Sequence, residues 1–168
     1  MVRILFLLAI GTIAMCWDLW KGKIPNILIL SGLCCGWCYQ MAEQGMSGIP
    51  IFLKGMMLPL LLLAPLYFFR MIGAGDIKLF AVIGGFIGIR AILMCMAFSF
   101  LVGAVISVFL IFRRRILSER LHYFFAYISN YFQTKQWTSY RRKQDVASQI
   151  HFSVPIFISI LFYIGGIY

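Results

Sequence analysis

Residues 72–112 read IGAGDIKLFAVIGGFIGIRAILMCMAFSFLVGAVISVFLIF, and Asp76, Lys78 and Arg90 are their only charged side chains. As one helix this run would be about 60 Å long, twice the ~30 Å hydrocarbon core of a bilayer. It therefore reads as two spans, 72–90 and 91–112, split at Gly88-Ile89-Arg90. The same pattern continues outward in both directions. Residues 2–17 hold one charge, Arg3, and run into Trp17-Asp18-Leu19-Trp20 without the small-residue site of a cleaved signal peptide, so they read as a retained span. A second span covers 25–41, opening on Pro25, a good first-turn residue; a third covers 49–69 and a last one 150–168. The expected fold is an all-α integral membrane protein, one domain over 1–168, with about six transmembrane helices.

Composition agrees. Of 168 residues 62% are hydrophobic and 12% charged, and the mean hydropathy is +0.94. Six spans leave no room for a separate soluble catalytic domain, so any chemistry belongs in the bilayer or at its surface. The net charge of +10 comes in clusters between the apolar runs. Lys21, Lys23, Arg70, Lys78 and the eight basic residues from Arg113 to Lys143 fall on one side; Arg3, Lys54 and Arg90 fall on the other. Twelve against three puts both termini outside and the long basic segment in the cytoplasm. Lys54 lies near the outer end of its helix and can snorkel to the headgroups.

That segment, 113–149, interleaves its cations with Tyr123, Phe124, Phe125, Tyr127, Tyr131, Phe132, Trp137 and Tyr140. It reads as an interfacial amphipathic stretch with rings at the acyl boundary and cations on anionic lipids. Membrane lipids are thus expected partners. Nucleic acid is not, since topology already accounts for the charge. Cys16, Cys34, Cys35, Cys38 and Cys95 all lie in apolar runs and read as small buried hydrophobes. Cys35-Gly-Trp-Cys38 lacks the second pair a zinc site needs, and His122 and His151 have no evident ligand partners, so no metal or cofactor is expected.

The acidic residues are Asp18, Glu43, Asp76, Glu119 and Asp145. Glu43 falls in the outer loop between spans two and three, and Glu119 and Asp145 lie four residues from Arg115 and Arg141 in the basic segment. Asp18 closes span one and Asp76 opens span four. Two crossings separate them, which returns both carboxylates to the cytoplasmic side. Two carboxylates close together in a partly dry site share one proton, the arrangement with which aspartic proteases activate water and protonate a peptide carbonyl. Asp18 taken alone also fits a helix-end cap or a surface ion pair with Lys21 or Lys23. Asp76 enters an apolar helix behind two glycines, at a depth where an ionisable group is a functional candidate by default.

These residues resemble a known family. Gly73-Ala74-Gly75-Asp76 has the GxGD form of membrane aspartic proteases, and its continuation Ile77-Lys78-Leu79 is similar to that of type IV prepilin peptidases. Asp18 followed by Ile24-Pro25-Asn26 matches the other half of that pattern, and the resemblance covers roughly the first 110 residues. It implies a bacterial or archaeal cytoplasmic-membrane endopeptidase that removes the leaders of prepilins or pseudopilins. Asp18 and Asp76 would be its catalytic pair. Gly73 and Gly75 would shape the backbone around Asp76, and Pro25 and Asn26 would order the turn beside Asp18. Larger members carry a cytoplasmic segment, often with a four-cysteine zinc site, tied to N-methylation. Only 17–24 joins the first two spans here, so the chain resembles the small stand-alone branch of tight-adherence pilus systems, without methylation. A non-enzymatic assembly factor or small transporter subunit would explain the hydropathy and the basic loops equally well, but not the shared face of the two acids.

The charge count carries a test. A reporter fused after Tyr168 should be active only if it is of the kind that works outside the cytoplasm. Activity of a cytoplasmic reporter there would remove the common-face argument for Asp18 and Asp76.

Overall fold

The computed structural model describes residues 2–69, 71–113 and 151–167. Among these the regular structure is entirely helical: α1 (Val2–Lys21), α2 (Asn26–Gln44), a 3-10 turn (Gly45–Ser47), α3 (Gly48–Phe68), α4 (Ala74–Arg113) and α5 (Ser153–Ile164). Three runs, Val2–Lys21, Asn26–Phe68 and Ala74–Leu110, are long and apolar enough to cross a membrane. The chain forms two compact units, one of 1–102 with 151–168 and one of 103–150. Of the second, the described part is the helical stretch 103–113, where the Ser107 hydroxyl donates to the Gly103 carbonyl at 2.7 Å. The expected interfacial stretch lies outside the described residues beyond Arg113, together with His122, Glu119 and Asp145.

Two of the apolar runs reverse direction. Between α2 and α3 the chain turns at Gly45–Ser47, and the helices lie antiparallel: a Cβ on Gly36 would meet the Phe52 ring at 3.0 Å, while Gly48 sits on the Gln40 backbone. Trp37 meets Phe52 edge-on, with ring centroids 5.5 Å apart. In α4 the reversal is at Gly88, whose φ of 78° and ψ of −179° are not helical. Gly84 and Ile92 would be about 12 Å apart along a straight helix, yet a Cβ on Gly84 would lie 3.2 Å from Ile92 Cγ1. Phe80 and Phe100 likewise pack on one ring, Phe152, at 6.3 and 5.3 Å. Only glycine takes this φ without strain, so the break expected over 88–90 falls on its first residue.

The segment 74–87 is the centre of the first unit. Every residue from 79 to 86 is buried, as suits a helix that is apolar all round rather than along one stripe. On its sides lie Phe6 of α1, stacked on Phe86 at 6.0 Å; Gly32 and Gly36 of α2, against Val82 and Phe86; Gly55 of α3; Ile92 beyond the break; and Phe152 before α5. The approach to α3 is backbone to backbone. A methyl on Gly55 would fall on the Gly84 carbonyl and one on Gly84 on the Gly55 carbonyl, so the small pair 84 and 88 serves helix packing.

The break displaces the hydrogen bonds of the carbonyls one turn before it, and in a bilayer such groups need other partners. Gln40, buried on the same stripe of α2 as Gly32 and Gly36, supplies them: its Nε2 donates to Gly85 O at 3.0 Å and to Phe86 O at 3.3 Å. On the other side of the turn, Ser159 of α5 and Ser99 both donate to the Cys95 carbonyl, at 2.8 and 2.7 Å.

Several expectations need correction. The last apolar run is helical only over Ser153–Ile164, about 18 Å, because Gly165-Gly166 ends it early. Cys16, Cys34 and Cys38 are exposed rather than buried, and Cys95 alone is fully enclosed; a small, weakly polar thiol is as compatible with an apolar outer face as with a core. Glu43 belongs to the last turn of α2, where it hydrogen-bonds Tyr39, not to a loop.

The Gly55–Gly84 contact predicts a stability effect. Gly55→Ala and Gly84→Ala should each lower the melting temperature in detergent, because carbonyls cannot step aside as side chains do. Overpacking costs about 1–3 kcal/mol, more than the ~1 kcal/mol an alanine gains in helix propensity. Gly75→Ala, whose Cβ would meet Ile24 at an ordinary 3.4 Å, should melt near wild type.

Candidate active site

Asp18 stands in the last turn of α1. The helix ends just beyond it, where the Gly22 N–H closes on the Asp18 carbonyl at 2.7 Å. Its side chain is turned inward and the residue is only 8% exposed. The lysines beside it do not hold it there: Lys21 Nζ lies over the Trp17 ring, 4.8 Å from the centroid. The carboxylate is held from α5 instead. Ser153 Oγ donates to Asp18 Oδ2 at 2.7 Å, and His151 Nδ1 lies 3.2 Å from the same oxygen. The surface ion pair open from sequence is thus replaced by a buried, hydrogen-bonded carboxylate.

Asp76 stands in the first turn of α4. Gly73 is the residue before the helix, its carbonyl accepting from the Ile77 N–H at 3.4 Å, which makes Asp76 the third helical residue. Its carboxylate reaches back to accept from the Gly73 N–H, the acidic half of a capping box. Neither Gly73 nor Gly75 has positive φ. At Gly73 the missing side chain gives space, since a Cβ there would stand 3.1 Å from Asp76 Oδ2, whereas one on Gly75 would make only ordinary contact with Ile24 at 3.4 Å.

The stretch between α1 and α2 joins the two motifs. Pro25 sits in extended conformation at the start of α2 (φ −68°, ψ 136°), and its carbonyl accepts from the Leu28 N–H at 3.1 Å. On one side of it Ile24 packs over Gly75; on the other, Asn26 Oδ1 accepts from Lys78 Nζ at 2.9 Å. Asp18 and Asp76 are close enough to act on one another electrostatically, and His151 acts on Asp76 as well. The ends of α1 and the starts of α2, α4 and α5 therefore meet at one end of the bundle. Arg3, over the Tyr163 ring at 5.6 Å, marks the other end.

All seven residues singled out from sequence, Asp18, Pro25, Asn26, Gly73, Gly75, Asp76 and Lys78, thus lie in one neighbourhood. His151 and Ser153 were missed. The crossing count that unites the aspartates also carries the chain back to this end at residue 150, so two polar residues opening the last apolar run were a usable signal. Among the described residues no cluster of three or more His, Cys, Asp or Glu could hold a metal ion.

A pair of carboxylates, Asp18 buried on a hydroxyl and an imidazole and Asp76 partly buried on a backbone N–H, can exchange protons with a water between them. No curated protein and no solved structure matches the chain. The model of the type IV leader peptidase family matches residues 5–108. That span contains both aspartates and the Ile24–Asn26 stretch but stops short of His151 and Ser153. Matched over well over half its length, and through the segments that build this site, the chain belongs to the type IV leader peptidase family.

Proposed function

We propose that this chain is a membrane aspartic endopeptidase that cuts the leaders from type IV prepilins or pseudopilins at the cytoplasmic face, with Asp18 and Asp76 as its catalytic pair. Membership of the family supports leader-peptidase activity. The observation that carries the aspartic reading is the meeting of Asp18, from the end of α1, with Asp76, from the start of α4, at one end of the bundle.

In this reading the pair holds one proton. The ionised carboxylate takes a proton from water as the water oxygen attacks the scissile carbonyl, and the protonated partner gives its proton to the carbonyl oxygen. Collapse of the tetrahedral intermediate breaks the C–N bond. The leaving nitrogen takes a proton from the first aspartate, and the second recovers one from the hydroxyl, which restores the pair. Asn26 and Lys78 fix the Ile24–Asn26 stretch against α4, and Gly73 leaves room for the Asp76 carboxylate.

The reading includes six crossings, from α1, α2, α3, the two parts of α4 and the run containing α5, with both termini outside and 113–149 along the cytoplasmic surface. The two reversals at Gly45–Ser47 and Gly88 support it. Absence of N-methylation belongs to it too, since only residues 22–25 join α1 to α2.

Asp18→Asn and Asp76→Asn should each abolish cleavage of a cognate prepilin in liposomes while leaving the protein inserted, because an amide can neither take nor give the proton. The two act as a unit, so the double variant should be no worse than either single one, and Glu43→Gln should remain active. Near-normal turnover of Asp18→Asn would sink the two-carboxylate mechanism.

Mass spectrometry of the product formed with S-adenosylmethionine present should show a shortened pilin with a free amine. A methyl group added by this chain alone would refute the second half of the proposal.

A further inference from the structure

Asp18 occupies an awkward place for an anion. The last turn of a helix carries the negative end of the peptide dipoles, and here the side chain is also buried. What offsets this comes from the far end of the sequence. α5 starts beside Asp18, presenting the positive end of its own dipoles, and its first residue, Ser153, is itself buried. A serine at a helix start ordinarily turns its hydroxyl to its own backbone. Ser153 instead donates to Asp18 Oδ2, and His151 reaches the same oxygen. The start of α5 is kept in place by packing along α1, where Gly11 lies against Phe157 and Ile160 at 3.0 Å from where a Cβ would sit.

We propose that Ser153 and His151 are positioning residues for Asp18: by holding Oδ2 between them they fix the rotation of the carboxylate and leave Oδ1 for the attacking water. The role rests on the catalytic reading of the aspartate pair. Neither residue touches the peptide. Each acts through Asp18, by removing the side-chain freedom that would otherwise place the accepting oxygen away from the water; a misplacement of about 1 Å can cost about 100-fold in rate. With the Asp18 carboxylate ionised, this role uses the form of His151 that carries a proton on Nδ1, 3.2 Å from Oδ2.

The test uses the full chain in liposomes with a peptide bearing a basic leader, a glycine and about twenty apolar residues. Ser153→Ala and His151→Ala should each lower kcat by about 10- to 100-fold, with KM and melting temperature close to wild type. His151→Asn, whose amide nitrogen falls where Nδ1 does, and Ser153→Thr, which keeps the hydroxyl, should recover most of that loss. Thr12→Ala, whose hydroxyl only returns to the Leu8 and Ala9 carbonyls of its own helix, is the control and should be unchanged. Wild-type kcat in both alanine variants would overturn the proposal. So would a loss seen only in KM, or one that tracks a fall in melting temperature and is not recovered by the conservative variants. Should Ser153→Thr fail to insert, the His151→Ala and His151→Asn comparison decides. Asp18→Asn and Asp76→Asn are measured alongside: turnover in these would refute the aspartate mechanism itself, whereas inactive aspartate variants with active alanine variants would refute only the positioning role.

Discussion

Where Gly55 of α3 faces Gly84 of α4, peptide backbone meets peptide backbone with no side chain between. That contact lets the first part of α4 enter the middle of the bundle, and the position of Asp76 follows from it. A helix surrounded on all sides must be narrow where it is most crowded, and glycine is how the chain makes it so. Gly32 and Gly36 do the same on α2, where Val82 and Phe86 fill the space their missing side chains leave. The cost of the central position is a chain that has to turn back at Gly88 inside an apolar environment. Gln40 meets the resulting need for donors, so a single amide on α2 is coupled to a backbone break on α4.

At the opposite end, each aspartate has a structural duty as well as a candidate chemical one. Asp76 caps its own helix through the Gly73 N–H, and Asp18 ties the end of α1 to the start of α5. Among the described residues, neither is paired with a lysine. That matters physically, because an ammonium paired to either carboxylate would hold it as an anion and oppose the proton sharing that a two-aspartate mechanism requires. Lys78, the lysine of the second motif, is spent on Asn26, and Lys21 on an indole face. These two lysines are thereby kept off its acids.

Much of this was legible in the chain. The helical character followed from the long apolar runs, and a break over Gly88-Ile89-Arg90 was expected because a run of that length cannot stay straight within the membrane; the structure puts it at Gly88. The pairing of Asp18 with Asp76 followed from counting crossings, which needs no side-chain geometry. What the sequence hid was which face of each helix points inward. Hydropathy in a membrane chain marks lipid-facing and buried residues alike, so nothing separated exposed Cys34 from buried Cys95, or marked α4 as central. Gln40 shares a stripe with Gly32 and Gly36, but its partners are backbone carbonyls, which every sequence has. His151 and Ser153 were not picked out, because their bond to Asp18 depends on how α5 packs along α1, a contact between the first and last helices that no local pattern records.

The central placement of α4 also has a consequence in time. The helices that flank it on α1, α2 and α3 precede it in the chain, so a ribosome delivers the shell before the core. The residues between the end of α3 and Gly88 take about 1–4 s to make at ~5–20 residues per second. For that interval Gly32, Gly36 and Gly55 have no α4 packed against them, and Gln40 lacks its Gly85 and Phe86 carbonyl partners. The place that α4 takes among the first three helices is therefore empty until it is made, and a substitution that let α2 and α3 close on α1 there would shut the central position before its occupant arrived.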